Sequence, residues 1–178
     1  MGSAFRWVLV LAVPLHAQAC WDDAARRHGL TADLLHAIAR VESGLNPWAV
    51  NSSHLQRTGS YDLGLMQINS THLAVLATHG ITPAGLLDAC TNIEVGAWLL
   101  ADLFRRHGAT WDAVGAYNAS CRKLDGASCA AARSAFAWKV YRQLVQPQAR
   151  TTERTLSLLA APPLEAGTAS SLSSRVWP

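Results

Sequence analysis

Residues 39–51 read ARVESGLNPWAVN, and the reading of Glu42 within them decides both the fold and the chemistry. Upstream, LTADLLHAIARV (residues 30–41) leads into a stripe of Leu34, Ile38, Val41 and Leu45 at helical spacing. That periodicity predicts an amphipathic helix, with Thr31 as its N-cap. Glu42 follows Leu35 by seven residues and Ile38 by four, so it shares an edge of the apolar face. Gly44 ends the helix and Pro47 keeps it ended. A carboxylate is thereby set on the buried side of a helix, one turn from its negative end. Desolvation and the helix dipole both disfavour the anion there, so the group is expected to keep its proton near neutral pH. An acid of that kind can protonate a leaving oxygen, as glycosidases require. Pattern alone leaves open a plainer alternative, a partly exposed helical glutamate with a surface partner.

The other three glutamates are weaker candidates. Glu94 is expected in the first turn of its helix, where a carboxylate is merely stabilising, and Glu153 and Glu165 fall in a tail.

The chain has 178 residues, half of them apolar and only 15% charged, enough for one domain with a real core. Residues 1–19, MGSAFRWVLVLAVPLHAQA, are of a different kind. Arg6 gives a positive start, Trp7 to Leu15 an apolar core, and Ala17-Gln18-Ala19 a cleavage site before Cys20, which predicts a secretory signal peptide and a periplasmic location. An uncleaved anchor and an acylated Cys20 are the alternatives; the residues before Cys20 fit a lipobox poorly. No further segment approaches the length of a membrane span. Removing Arg6 from the 15 basic residues leaves 14 against 12 acidic ones, too small and scattered an excess to point to nucleic acid.

Four cysteines, at 20, 90, 121 and 129, allow three pairings, and an even count in an exported protein implies disulfides. Cys121 and Cys129 close the short loop SCRKLDGASC, which favours their pairing and leaves Cys20 for Cys90. The alternative, free thiols or a metal site, finds no C-x-x-C pair or histidine spacing in its support. No metal and no cofactor are expected.

The rest of the chain reads as consecutive short helices: one over 21–29 ending at Gly29, the helix carrying Glu42, another from Asn69-Ser70 to Gly80, and a brief one from Thr82-Pro83 to Asp88. Thr91 is expected to start a helix with Ile93, Ala97, Leu100 and Phe104 on one stripe, Thr110 to cap WDAVGAYN, and residues 130–145 to form the last helix. Residues 44–63, rich in Gly, Asn, Ser and Pro, predict a loop or irregular hairpin. The fold class is therefore mainly α with a short irregular β-like segment. From Pro147 the composition turns to Ser, Thr, Ala and Pro without periodicity, which predicts a flexible C-terminal tail over 147–178.

Three stretches set polar groups among apolar ones, as a cleft lining would: VESG with Glu42 and Ser43, SYDLGLMQIN with Gly64, Gln67 and Asn69, and VGAYNAS with Tyr117 and Asn118. In this order VESGLNPWAVN, GLMQIN and GAYNAS resemble the three motifs of the family 1 lytic transglycosylases, whose fold is lysozyme-like, of the goose type. The likeness is closest to the small single-domain members that accompany type III and type IV secretion systems and type IV pili. It runs from about Cys20 to Val145, giving an expected domain over 20–146.

The resemblance implies cleavage of the β-1,4 bond between N-acetylmuramic acid and N-acetylglucosamine in peptidoglycan, leaving a 1,6-anhydromuramic end. It makes Glu42 the catalytic acid/base. Ser43, Met66, Gln67, Asn69, Tyr117 and Asn118 become the residues that hold the glycan. Its partners would be glycan strands and a secretion or pilus machine, with the protein itself a monomer. Core packing for Met66, and a backbone bond at the helix end for Ser43, are the plainer alternatives. A two-carboxylate glycosidase needs a second acid about 5 to 9 Å away. Asp62 is the candidate near a motif, and as a favoured turn residue it is expected to bond its own turn. Transglycosylation needs no such partner. The substrate's acetamido group can stabilise the anomeric cation, and its 6-hydroxyl can attack while Glu42 takes that proton. The rivals are a hydrolytic muramidase and a non-catalytic glycan-binding component of a secretion system. A metallopeptidase is disfavoured, because the seven histidines are scattered and no H-E-x-x-H occurs. The long tail and the loop cysteines depart from the family pattern and bear on partners rather than on chemistry.

Overall fold

The computed structural model describes residues 15–121 and 124–145. The expected tail, and most of the expected signal peptide, lie outside the described residues. Seven α-helices and three very short strands are described.

Helix α1 (Leu15–His28) begins ahead of the expected cleavage site and stops before Gly29, as anticipated. Helix α2 (Ala32–Ser43) is capped as expected: Thr31 Oγ1 accepts from the Leu34 amide at 3.3 Å. At its other end Gly44 takes a left-handed φ of 64° and returns its amide to the carbonyls of Ala39 and Arg40. Its buried face is centred on Leu35, Ala37, Ile38 and Ala39, with Leu34, Val41 and Leu45 packed at the margin. The apolar stripe is thus turned toward Leu35, which brings Glu42 further inward than a stripe through Leu34 and Val41 would.

The segment expected as a loop or irregular hairpin, residues 44–63, carries the first two strands of a three-stranded antiparallel sheet in the order β1 (Val50–Asn51), β2 (Asp62–Leu63), β3 (Ile68–Asn69), the third strand lying beyond it. Asn51 pairs with Asp62, and Asp62 in turn with Asn69. A four-residue helix, α3 (Leu55–Thr58), interrupts the connection from β1 to β2. The chain then makes a 3₁₀ turn over Ser70–His72, where Asn69 Oδ1 accepts from the Thr71 amide, and runs into α4 (Leu73–Ala77).

Helix α5 (Ala89–His107) starts two residues earlier than the Thr91 start expected. The cap is Asp88, whose carboxylate accepts from the Thr91 amide at 2.9 Å. That position also corrects the reading of Glu94, which lies beyond the first turn and bonds Arg27 Nη2 at 2.6 Å and His28 Nε2 at 2.9 Å on α1. Helix α6 (Trp111–Asn118) has the predicted Thr110 cap. Helix α7 begins at Gly126 rather than 130 and runs to Val145.

The disulfides are Cys20–Cys90, joining α1 to the start of α5, and Cys121–Cys129, between α6 and α7. Both pairings agree with the sequence reading. Helix α7 packs on α2 and α6, and α5 packs on α1 and α6. The core they enclose includes Leu35, Ile38, Ile68, Leu86, Ile93, Leu100 and Val140. Among the described residues no helix is long and apolar enough to cross a membrane.

Candidate active site

Glu42 occupies the last turn of α2 and is partly buried. Burial, above all, raises its carboxyl from an ordinary 4.5 to about 7, and the nearby charge of Asp62 adds to the rise. A hydrogen bond from Asn118 and the charge of Lys139 act in the opposite direction and do not overcome it. Glu42 therefore stays substantially protonated at neutral pH. The structure brings together, around this acid, Asp62 from β2, Tyr117 and Asn118 from the end of α6, and Lys139 from α7.

The expected substrate-contact residues divide into two groups. Ser43 is held internally: its hydroxyl donates to the Leu65 carbonyl at 2.7 Å and accepts from the Asn46 amide at 3.1 Å. Met66 is a correction, because its side chain is fully buried and cannot touch a glycan. It packs on Gly96 of α5, where an added Cβ would fall 2.4 Å from the Met66 sulfur. Met66 gives the site its backbone instead. Its carbonyl accepts from the Tyr117 hydroxyl at 3.0 Å, and its amide donates to Asn92 at 2.7 Å. Asn69 is bound within its own sheet. Its Nδ2 donates to Asp62 Oδ1 at 2.7 Å and to Ser60 Oγ at 3.2 Å, so it orients a carboxylate.

Gln67 sits in the left-handed region, at φ 49°, in the turn between β2 and β3. Its Nε2 bonds the Gly64 carbonyl at 2.8 Å and the Ala49 carbonyl at 3.3 Å. Tyr117 is a donor whose phenol is pushed well above 10 by burial and by the charges of Glu42 and Asp62, so it remains protonated throughout the working range. Asn118 is exposed at the helix end and reaches Glu42 directly.

Two residues carry more than their sequence positions indicated. Asp62 does bond within its sheet, through Asn69. It also faces His54, with 3.4 Å between His54 Nε2 and Asp62 Oδ2, and acts electrostatically on Glu42. Asn92 is completely buried on α5. Its amide nitrogen donates to the carbonyls of Leu63 and Leu86 at 2.9 and 2.8 Å, and its oxygen accepts from Met66, so every polar atom has a partner. Gly64, at φ 75°, makes room for it: an added Cβ would lie 2.2 Å from the Asn92 nitrogen. The available signal was a lone asparagine among Ile93, Val95 and Ala97 on an otherwise apolar helix face.

A helical domain with a small three-stranded sheet, and a partly buried acid at a helix end beside it, is the architecture of a lysozyme-like, glycan-cleaving enzyme. Comparison with known proteins makes the class specific. Residues 19–134 match the transglycosylase SLT domain. Invasion protein IagB of Salmonella typhi is 39% identical over 145 residues, covering 78% of this chain and 85% of that protein. The X polypeptide of Escherichia coli K12 is 39% identical over 143 residues, with 77% and 82% covered. Protein IpgF of Shigella flexneri is 40% identical over 119 residues, with 66% and 76% covered. The chain belongs to the transglycosylase SLT family. It is a peptidoglycan lytic transglycosylase.

Proposed function

We propose that Glu42 serves both steps of a non-hydrolytic cleavage of the MurNAc-β-1,4-GlcNAc bond. As an acid it protonates the glycosidic oxygen. As the resulting carboxylate it takes the proton from the muramyl 6-hydroxyl, which closes the 1,6-anhydro ring. The observation that carries this reading is a carboxyl held near pH 7 at a helix C-terminus. A group so poised gives and accepts a proton at nearly equal cost, as a residue used twice must. Gln67 and Asn118 line the glycan path in this reading, and Ser43, Met66, Asn69 and Tyr117 hold the site in shape. The enzyme acts in the periplasm after loss of residues 1–19, as a domain over 20–146 followed by a separate tail. It opens the wall locally for a secretion system or pilus, an assignment supported by the name of its relative, invasion protein IagB.

One observation favours a second reading, hydrolysis. Asp62 lies close enough to Glu42 to act on its ionisation, and a second carboxylate is what a lysozyme-type hydrolase uses. Mass spectrometry of digested peptidoglycan separates the two. Anhydro ends, lighter by one water than reducing ends, are the expected product; predominantly reducing ends would establish hydrolysis.

A further inference from the structure

Asp62 has one oxygen on a fixed donor and the other on a titratable one. Oδ1 is held by the Asn69 amide, itself fixed through Ser60 and through the Thr71 backbone. Oδ2 faces His54 Nε2 at 3.4 Å, at the start of α3, with the two side chains only 17% and 18% exposed for His54 and Asp62. The contact is largely shielded from water, so a charge at position 54 is felt at the carboxylate. The other ionisable groups facing this pair across the cleft are Glu42 on α2 and Tyr117 on α6, with Lys139 on α7 reaching Glu42.

We propose that His54 is a positioning residue that acts on Glu42 through Asp62. It fixes the direction of the Asp62 carboxylate and sets how much of its negative charge reaches the acid. An uncharged group at position 54 leaves the charge of Asp62 uncompensated, and the Glu42 proton is held more tightly. A cation there offsets that charge, and the hold relaxes. The inference rests on Glu42 being the acid, and on nothing further in the reaction scheme.

The test is the pH profile of kcat/KM on purified peptidoglycan for the wild type, His54→Gln, His54→Lys, Asp62→Asn and the two His54 variants combined with Asp62→Asn. The alkaline limb reports loss of the Glu42 proton. His54→Gln carries no charge and His54→Lys a fixed positive one, so the limb of the Lys variant should lie about half a pH unit below that of the Gln variant. A separation of that sign between two variants at one position is not produced by local unfolding. In the Asp62→Asn background the separation should shrink. Two outcomes overturn the proposal: the same limb in both His54 variants, or a separation that persists unchanged without Asp62. Glu42→Gln keeps this separate from the larger reading. Retained activity there removes the acid assignment itself, whereas an inactive Glu42→Gln with an immobile limb removes only the role of His54.

Discussion

Replacing Glu42 with Gln should stabilise the protein while abolishing its activity, and the stabilisation should depend on pH. The carboxyl stands at about 7 in the folded state against an ordinary 4.5, so folding favours its protonated form. For a group whose folded value is raised, the stabilising contribution is complete below the unfolded value and is lost as pH rises through the folded one. A rise of about 2.5 units at about 1.36 kcal/mol each makes the loss about 3 kcal/mol by pH 8, and about 2 kcal/mol by pH 6. Gln carries no titrating proton, retains the shape, and can still bond Asn118. The variant should therefore match the wild type to within a constant offset at pH 4 and gain on it steadily up to pH 8. For a domain of this size, about 3 kcal/mol corresponds to roughly 10 °C in melting temperature.

Thermal unfolding followed by circular dichroism at pH 4, 5, 6, 7 and 8, with disulfides intact, measures the difference. Any packing defect introduced by the amide appears as the constant offset, so the slope of the difference with pH is the quantity that decides. Parallel curves for the two proteins across the whole range would refute the burial argument, because they would mean that Glu42 ionises alike in the folded and unfolded chains.

Four further outcomes are expected. Lysis of purified peptidoglycan should fall as pH rises through about 7, as the acid ionises. Glu42→Gln should lower it at least about 100-fold at every pH, and turbidity clearance by the folded variant at the wild-type rate would contradict this. Asn92→Ala strands the Met66 amide and the Leu63 and Leu86 carbonyls, and should cost about 3 kcal/mol in chemical denaturation; a loss below about 1 kcal/mol would show that the turn it anchors holds without it. A chain ending at Gln146 should fold and cleave peptidoglycan at the full rate, and a truncation that unfolds would assign the tail to the domain.

What could be read from sequence was what local chemistry dictates. Thr31, Gly44 and Thr110 mark helix ends because a side-chain oxygen or a left-handed turn satisfies backbone groups within three or four residues. Glu42 was legible because Leu35 and Ile38 fix its azimuth on the same helix. The sheet was not legible, since strands of two residues carry no alternation to detect. For Ser43 the helix-end backbone bonds to Ala39 and Asn46 were legible, but its shorter bond, to Leu65 22 residues away, was not; nor was the occupation of Asn69, whose carboxylate partner is seven residues away on an adjacent strand. Thr91 and Asp88 are both good caps, and the choice between them depends on where the Cys90 bridge and the Leu86 turn leave the chain. The motif marked Met66 as important, and its importance is structural: it fills the space over Gly96, which a cleft reading of GLMQIN does not anticipate.

The turn over residues 63–67 is the common anchor of the site. Ser43, next to the acid, donates to Leu65; Asn92 holds Leu63 and Met66; and Tyr117, next to Asn118, donates to Met66. Three helices are thus registered on one five-residue segment, which is continuous with the strand bearing Asp62. The separation of Glu42, Asp62 and Asn118 is consequently fixed by residues that lie behind the cleft rather than by those that face a glycan. That arrangement gives the SYDLGLMQIN stretch a physical role that contact with substrate does not require. The backbone at residues 64–67 must be tight enough to receive three side chains, hence glycine at 64, a buried thioether at 66 and a left-handed glutamine at 67. In the reaction proposed for Glu42, a carboxyl used as acid and then as base must remain within hydrogen-bond reach of two different oxygens in turn, so a displacement of even about 1 Å is costly. Damage to the anchor should therefore appear in kcat with little change in KM, whereas damage to a glycan contact should raise KM first.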